Sequence, residues 1–182
     1  MQFLESQNVY LKKLDYNDDL QNYIEMVNDE SNVYSIESLG RGYVTKEDLK
    51  QFIQDYKGQL FGIFNKEGEH VGNVSLSSFD YVRRCCSYAI LMSSKHKRKG
   101  YAFEGSVLVL NHAFNNLNMH RVYLGVVEWA GSAIGLYEKL GFKFEGKSRD
   151  AFWANGRYYS QLNYSILFDE FQFSDNSRIE TP

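Results

Sequence analysis

Two short stretches carry the residue types that could do chemistry. The first is Lys95-His96-Lys97-Arg98-Lys99-Gly100-Tyr101-Ala102. Four of its side chains between positions 95 and 99 are Lys or Arg. It leads into Phe103, Val107, Leu110, Phe114 and Leu117, which mark one stripe at helical spacing. The stretch therefore ends on a helix N-terminus, where unpaired N–H groups and the macrodipole favour an anion. Gly100 lets the backbone approach a ligand closely, and small Ala102 keeps the first turn open. The chemistry indicated is phosphate binding, although a solvated basic loop has the same composition. The nucleotide-hydrolase loop and the Gly-x-Gly-x-x-Gly fingerprint are both missing, and no aromatic-interleaved basic surface points to nucleic acid.

The second stretch is Ala133-Ile134-Gly135-Leu136-Tyr137-Glu138-Lys139-Leu140-Gly141-Phe142. It reads as a short amphipathic helix closed by a glycine C-cap. Taken alone, Tyr137 is one more core aromatic. A phenol with an ordinary pKa near ~10 is also protonated at neutral pH and can donate a proton. The four histidines do not fall at metal-ligand spacing, and no Ser/His/Asp order suggests a nucleophile. Neither a metal nor a covalent intermediate is expected.

The elements that must position these stretches follow from periodicity. Val9 to Leu14 reads as a strand, then Leu20, Tyr23, Ile24 and Val27 as a helix. Thr45 and Asp48 form a capping-box pattern ahead of a second helix through Leu49, Phe52, Ile53 and Tyr56. Leu60 to Asn65 and His70 to Phe79 make a hairpin, and Arg84 to Met92 a further strand. The basic loop and strongest helix come next, then a strand from Arg121 to Val127 and a helix from about Ser132 to Lys139. Two last strands flank Asn155-Gly156, a hairpin-turn signal. The order predicts an α/β fold: a mixed, mostly antiparallel central sheet of about seven strands flanked by four helices.

At 182 residues the chain is expected to be one domain, with a core of about 9–168 and a polar tail at 174–182. A net charge of −3 recruits neither nucleic acid nor anionic membrane. No window approaches the roughly 20 apolar residues that span a bilayer, and no signal peptide is visible. Cys85 and Cys86 are adjacent and poorly placed to bridge each other, so they read as small buried hydrophobes. A cytoplasmic protein is expected.

In this order and at this spacing, the two stretches resemble the GNAT acyltransferase superfamily. Its coenzyme A signature, Gln/Arg-x-x-Gly-x-Gly/Ala, is matched by Lys97, Gly100 and Ala102. Its second signature is matched by Ala133, Tyr137, Lys139, Leu140, Gly141 and Phe142. Phe144 to Asp150 and Asn155 to Tyr158 are similar to the branch of ribosomal-protein N-terminal, spermidine and nucleotide-amino-sugar acetyltransferases. The resemblance implies an N-acetyltransferase that uses acetyl-coenzyme A. Pyrophosphate would sit on the backbone of Lys97, Arg98, Lys99, Gly100, Tyr101 and Ala102. Pantetheine would lie beside Leu91 and Met92 where two strands splay apart, with Tyr137 as general acid. Three positions depart from the pattern: Lys97 replaces Gln/Arg, Ala130 an Asn, and Ser87 a Glu. No carboxylate base is assured, so deprotonation through water is expected; Glu128 is a candidate base that reads chiefly as a solvated strand-end charge.

The acceptor is a small-molecule or peptide amine. Without an assured base, a weakly basic amine is favoured: an α-amino group near ~7.7–8.0 is neutral far more often at pH 7 than an alkyl amine near ~10.4. That favours an amino sugar or a protein N-terminus over a polyamine; the resemblance places a nucleotide-linked amino sugar first, with a protein N-terminus or a polyamine as alternatives. Tyr34, Glu37, Arg41, Asp80 and Trp153 are candidate pocket residues. A non-catalytic acyl-coenzyme A-binding module and an RNA-associated protein are the rival classes, and a homodimer stays open.

Overall fold

A computed structural model describes residues 2–14, 19–32 and 42–173. Its elements are β1 (Gln2–Glu5), β2 (Val9–Lys12), α1 (Leu20–Val27), α2 (Lys46–Asp55), β3 (Gly58–Asn65), β4 (His70–Asp80), β5 (Cys85–Met92), α3 (Tyr101–Asn111), β6 (Arg121–Val127), α4 (Gly131–Lys139), β7 (Lys143–Ala154) and β8 (Arg157–Leu167). The strands form one sheet in the order β1-β2-β3-β4-β5-β6-β8-β7. Neighbours pair antiparallel except β5 and β6, which run parallel.

The mixed, mostly antiparallel sheet expected from sequence is present, with eight strands rather than about seven. The extra strand is β1. Four residues hold too little alternation to be read, and tertiary packing decides the matter. Leu4 is buried, and Phe3 stacks on Phe61 with ring centroids 5.0 Å apart. The local signals elsewhere hold. Thr45 caps α2 with the reciprocal Asp48 bonds of a capping box. Asn155 and Gly156 both take positive φ, 50° and 78°, as a tight hairpin turn demands.

Side-chain alternation splits the core between the two sheet faces. Leu11, Ile63, Val74, Leu76, Cys86, Tyr88, Val122 and Leu124 pack with α3 and α4. Phe64 and Leu14 pack with α1 and α2 on the other face. Cys86 is buried as expected, and burial pushes its thiol up to about 12, but Cys85 is only half-buried. The stripe expected on α3 is not its buried face. Leu110 and Phe114 are buried, but Phe103, Val107 and Leu117 are half-buried, while Gly105, Ser106, Leu108 and Val109 are buried. The helix is covered on two sides: Gly105 lies against Ile63 of the sheet, while Phe173 meets Phe103 at 5.3 Å and Phe171 meets Phe114 at 5.2 Å. A single-stripe pattern cannot describe a helix with two partners.

Two histidines are buried and tie stability to pH. His70 stacks on Phe64 at 4.7 Å and its Nε2 lies 3.0 Å from Asn73 Oδ1, with Asp19 and the Lys12–Asp19 ion pair nearby. His112 bonds Gln59 Oε1 at 2.8 Å, against Phe3 and Phe61. Burial lowers both pKa values below the ordinary range. Between the folded pKa and about 6.5 the unfolded chain then binds more protons, so stability is full above about 6.5 and falls as pH drops below it. Thermal melts at pH 7.5 and 5.5 should show a loss of several degrees, and His70→Gln should flatten it. An unchanged slope in that variant removes His70 from the account.

Candidate active site

The pairing of β5 with β6 is short. It runs only through Cys85↔Arg121, Cys86↔Val122 and Ser87↔Tyr123. Beyond it β5 continues to Met92 beside β4, and β6 continues to Val127 beside β8. The two central strands therefore diverge, and among the described residues no strand pairs with their facing backbone groups from Tyr88 and Leu124 onward. An extended ligand can complete such an opening by strand-like hydrogen bonds. Leu91 and Met92 stand on this divergent part of β5, both half-buried. Leu91 packs toward the α1–α2 side and Met92 toward α3.

The loop that follows is fastened at both ends. Ser93 N–H donates to Val71 O at 2.9 Å, and a 3-10 turn over Ser94–His96 follows. Ser94 donates to Asp29, Lys95 pairs with Glu25 at 2.9 Å, and Lys97 donates to Ser31 Oγ at 2.9 Å. At least two of the four basic side chains thus tether the loop to the end of α1. Arg98 and Lys99 are exposed, with the Lys99 ammonium 5.9 Å over the Tyr101 ring. Gly100 is the N-cap of α3 at φ +84°, and a Cβ built there meets nothing within 4 Å. An open space thus lies before a helix N-terminus with two exposed cations beside it. These features fit a pyrophosphate. Glu104 in the first turn of α3 accepts from Ser6 Oγ at 2.7 Å, and from Asn8 N at 3.0 Å and Nδ2 at 2.6 Å. Those bonds pin the helix start to the β1–β2 turn.

The second stretch owes its shape to Gly141. At φ +95° it ends α4 in a Schellman motif: Phe142 N–H donates to Tyr137 O and Gly141 N–H to Glu138 O, each at 3.0 Å. The reversal folds Phe142 back onto Tyr137, with centroids 6.0 Å apart. Tyr137 is 7 % exposed and meets Tyr88 edge-on at 6.1 Å. Burial pushes its phenol up to about 12, so it is protonated throughout the neutral range. Tyr88 is the first β5 residue past the β5–β6 pairing, so Tyr137 sits near the point where the strands part.

The remaining sequence candidates fall elsewhere. Glu128 is not a free strand-end charge: it accepts from Lys147 Nζ at 2.7 Å and from Ser160 N at 2.8 Å. The Lys147 bond holds its carboxyl below the usual range, which makes it a weak base. Ser87 Oγ lies 2.8 Å from Ser77 Oγ across the β4–β5 pair. Ala130 is the N-cap of α4. Asp80 accepts from Val82 N and Arg83 N at 3.0 and 2.8 Å, closing the β4–β5 turn at the opposite end of the sheet from the divergence. Trp153 stands at the β7–β8 tip against Tyr158, at the divergent end. Tyr34, Glu37 and Arg41 lie outside the described residues.

Sequence reasoning missed one cavity of about 390 Å³ on the outer face of β6, β7 and β8. Arg121, Tyr123, Gly125, Glu145, Gln161 and Asn163 line it. The alternation of Arg121, Tyr123 and Gly125 was the available signal, since it sets these residues on one face. Glu145 reaches the cavity from a bulge opposite Tyr164 and Asn163, which sequence does not announce.

Residues 13–162 match the family model described as an acetyltransferase (GNAT) domain. The chain is 29% identical over 148 residues to spermidine N(1)-acetyltransferase of Escherichia coli K12, covering 80% of this chain and 79% of that one. A putative ribosomal N-acetyltransferase of Bacillus subtilis is 26% identical over 125 residues, 69% of this chain and 68% of its own. Among solved structures, spermidine N-acetyltransferase from Vibrio cholerae in complex with CoA and spermine superposes with a TM-score of 0.79 at 26% identity, covering 89% of this chain and 96% of that one. With a family match across most of its length and the element order that goes with it, the chain belongs to the GNAT acetyltransferase family and is an acetyl-coenzyme A-dependent N-acetyltransferase.

Proposed function

We propose that this enzyme acetylates a primary amine of a polyamine of the spermidine class, with Tyr137 as general acid. The likeness to spermidine N(1)-acetyltransferase over 148 residues at 29% identity carries the choice of acceptor. Amine basicity favours a nucleotide-linked amino sugar or a protein N-terminus over a polyamine, but the relatives support the polyamine alternative instead. In this reading Lys97, Arg98, Lys99, Gly100, Tyr101 and Ala102 hold the pyrophosphate of acetyl-coenzyme A, while Leu91 and Met92 flank its pantetheine arm. The neutral amine attacks the thioester carbonyl, a C–N bond forms, and the C–S bond breaks. Tyr137 gives its proton to the departing thiolate, and the nitrogen loses one to water.

The geometry supports water as the route for that last proton, because Glu128 is held by Lys147 and Ser87 faces Ser77. An alkyl amine near ~10.4 is neutral in about one molecule in 2,500 at pH 7. With no free base placed there among the described residues, kcat/KM for spermidine should rise nearly tenfold per unit between pH 7 and 9. The acceptor is tested at fixed acetyl-coenzyme A against spermidine, a nucleotide-4-amino-sugar, and alanine- and serine-initiated peptides. Spermidine is expected to lead in kcat/KM by tenfold or more. An amino sugar or peptide in front overturns the choice of acceptor and leaves the acetyl-transfer chemistry standing.

A further inference from the structure

A buried hydrogen-bonded chain joins the ring beside Tyr137 to the first turn of α3. Tyr88 is 4 % exposed and Ser106 is 0 % exposed. Tyr88 Oη lies 2.6 Å from Ser106 Oγ, and Ser106 Oγ donates to the Ala102 carbonyl at 2.6 Å. A serine hydroxyl has one hydrogen. Since it points to Ala102, Tyr88 must be the donor to Ser106. The Tyr88 ring is thereby fixed at its far end, and its body meets both Phe142 at 5.8 Å and Tyr137 at 6.1 Å, the latter at an interplanar angle of 89°. That edge-to-face contact is the preferred geometry for two aromatic rings, and it resists rotation of either.

Position adds meaning to the contact. Tyr88 is the residue at which β5 leaves β6, so it stands at the inner end of the opening. Ala102 lies two residues beyond Gly100, in the first turn of α3 next to the open space at its N-cap. One chain of contacts therefore runs from the anion-binding turn, through Ser106 and Tyr88, to the phenol at the other end of the opening. A position that needed only a packed ring could hold phenylalanine, which fills nearly the same volume with no polar atom to satisfy.

We infer that Tyr88 is a positioning residue for Tyr137: anchored through Ser106 to the Ala102 carbonyl, it holds the Tyr137 phenol in its donating orientation. The inference rests on the reading of Tyr137 as general acid. Proton donation depends on placement to within a fraction of an ångström, so releasing the anchor lowers turnover without touching the donor itself. Tyr88→Phe keeps the ring and removes the anchor, and Ser106→Ala removes it from the other side.

The test compares wild type, Tyr88→Phe, Ser106→Ala, Tyr137→Phe and the double variant Tyr88→Phe/Tyr137→Phe. It measures kcat, acetyl-coenzyme A KM and melting temperature, with ring-labelled tyrosine NMR of the ligand-free protein. Tyr88→Phe is expected to lower kcat about 5- to 10-fold with KM changed less than twofold. In the Tyr137→Phe background the same change should cost less than twofold. The Tyr137 Cζ resonance, identified by its loss in Tyr137→Phe, should shift or broaden in Tyr88→Phe. Equal losses of kcat in both backgrounds, or an unmoved resonance with wild-type kcat, overturn the inference while leaving Tyr137 in place. A Tyr137→Phe enzyme with wild-type kcat instead removes the general acid, and the positioning role with it.

Discussion

Tyr137→Phe should lower kcat by roughly 10²-fold or more, the lower end of what a positioned general acid contributes, with acetyl-coenzyme A still bound normally. The phenol is 7 % exposed and its ring packs between Tyr88 and Phe142, so phenylalanine fills the same space without rearranging the core. Burial holds the pKa near 12, well above the ~8.5 of an ordinary thiol. Complete transfer of its proton to a free thiolate is therefore uphill. In the proposed mechanism Tyr137 gives up its proton only in concert with C–S cleavage, and the proton that the nitrogen loses through water replaces it on the phenol. Two consequences follow. No alkaline loss of activity from Tyr137 should appear below about pH 10, and the variant's deficit should sit in kcat rather than KM. A variant that turns over at the wild-type rate takes the acid role away from this residue.

The local shape of the two candidate stretches was legible because each owes it to bonds within a few residues. Gly141 ends α4 by a Schellman turn whose acceptor is the Tyr137 carbonyl itself, so the motif's spacing is the geometry of one helix end. Gly100 likewise marks a left-handed N-cap that few residues but glycine adopt readily. What was not legible depends on distant partners. The basic run suggested charge for phosphate, but Lys95 and Lys97 reach Glu25 and Ser31 on a segment more than 60 residues earlier. Glu128 looked free because Lys147 and the Ser160 amide come from strands folded against it later in the chain. Strand β1 had no pattern of its own, and β2 supplies its pairing. Tyr88 shows the same limit. Alternation along β5 marks it as buried, but only the fold reveals that its hydroxyl meets Ser106 and its ring meets Tyr137.

Gly100→Asp should abolish the rise in melting temperature that acetyl-coenzyme A produces, while leaving the unliganded protein close to its normal stability. Acetyl-coenzyme A at 100 times its Kd contributes about 2.7 kcal/mol to the folded state. At about 2–4 °C per kcal/mol for a chain of this size, that is roughly 5–10 °C. The site of the change separates folding from binding. A Cβ at Gly100 meets nothing within 4 Å, so the new side chain enters open space rather than the core. The φ of +84° strains most residues, but Asp and Asn visit this region more readily than others do. A carboxylate at the N-terminus of α3 is also favourable to the helix itself, through the same dipole that attracts phosphate. The substituent thus satisfies the apo helix and occupies the anion's place, repelling the pyrophosphate at contact distance. Gly100→Asn supplies the control, since it adds nearly the same volume without the charge. Retention of part of the thermal shift by Asn and none by Asp assigns the loss to electrostatics. Loss in both assigns it to blocked backbone approach. A full shift in the Asp variant would mean that the pyrophosphate is held somewhere other than the turn between Lys97 and Ala102.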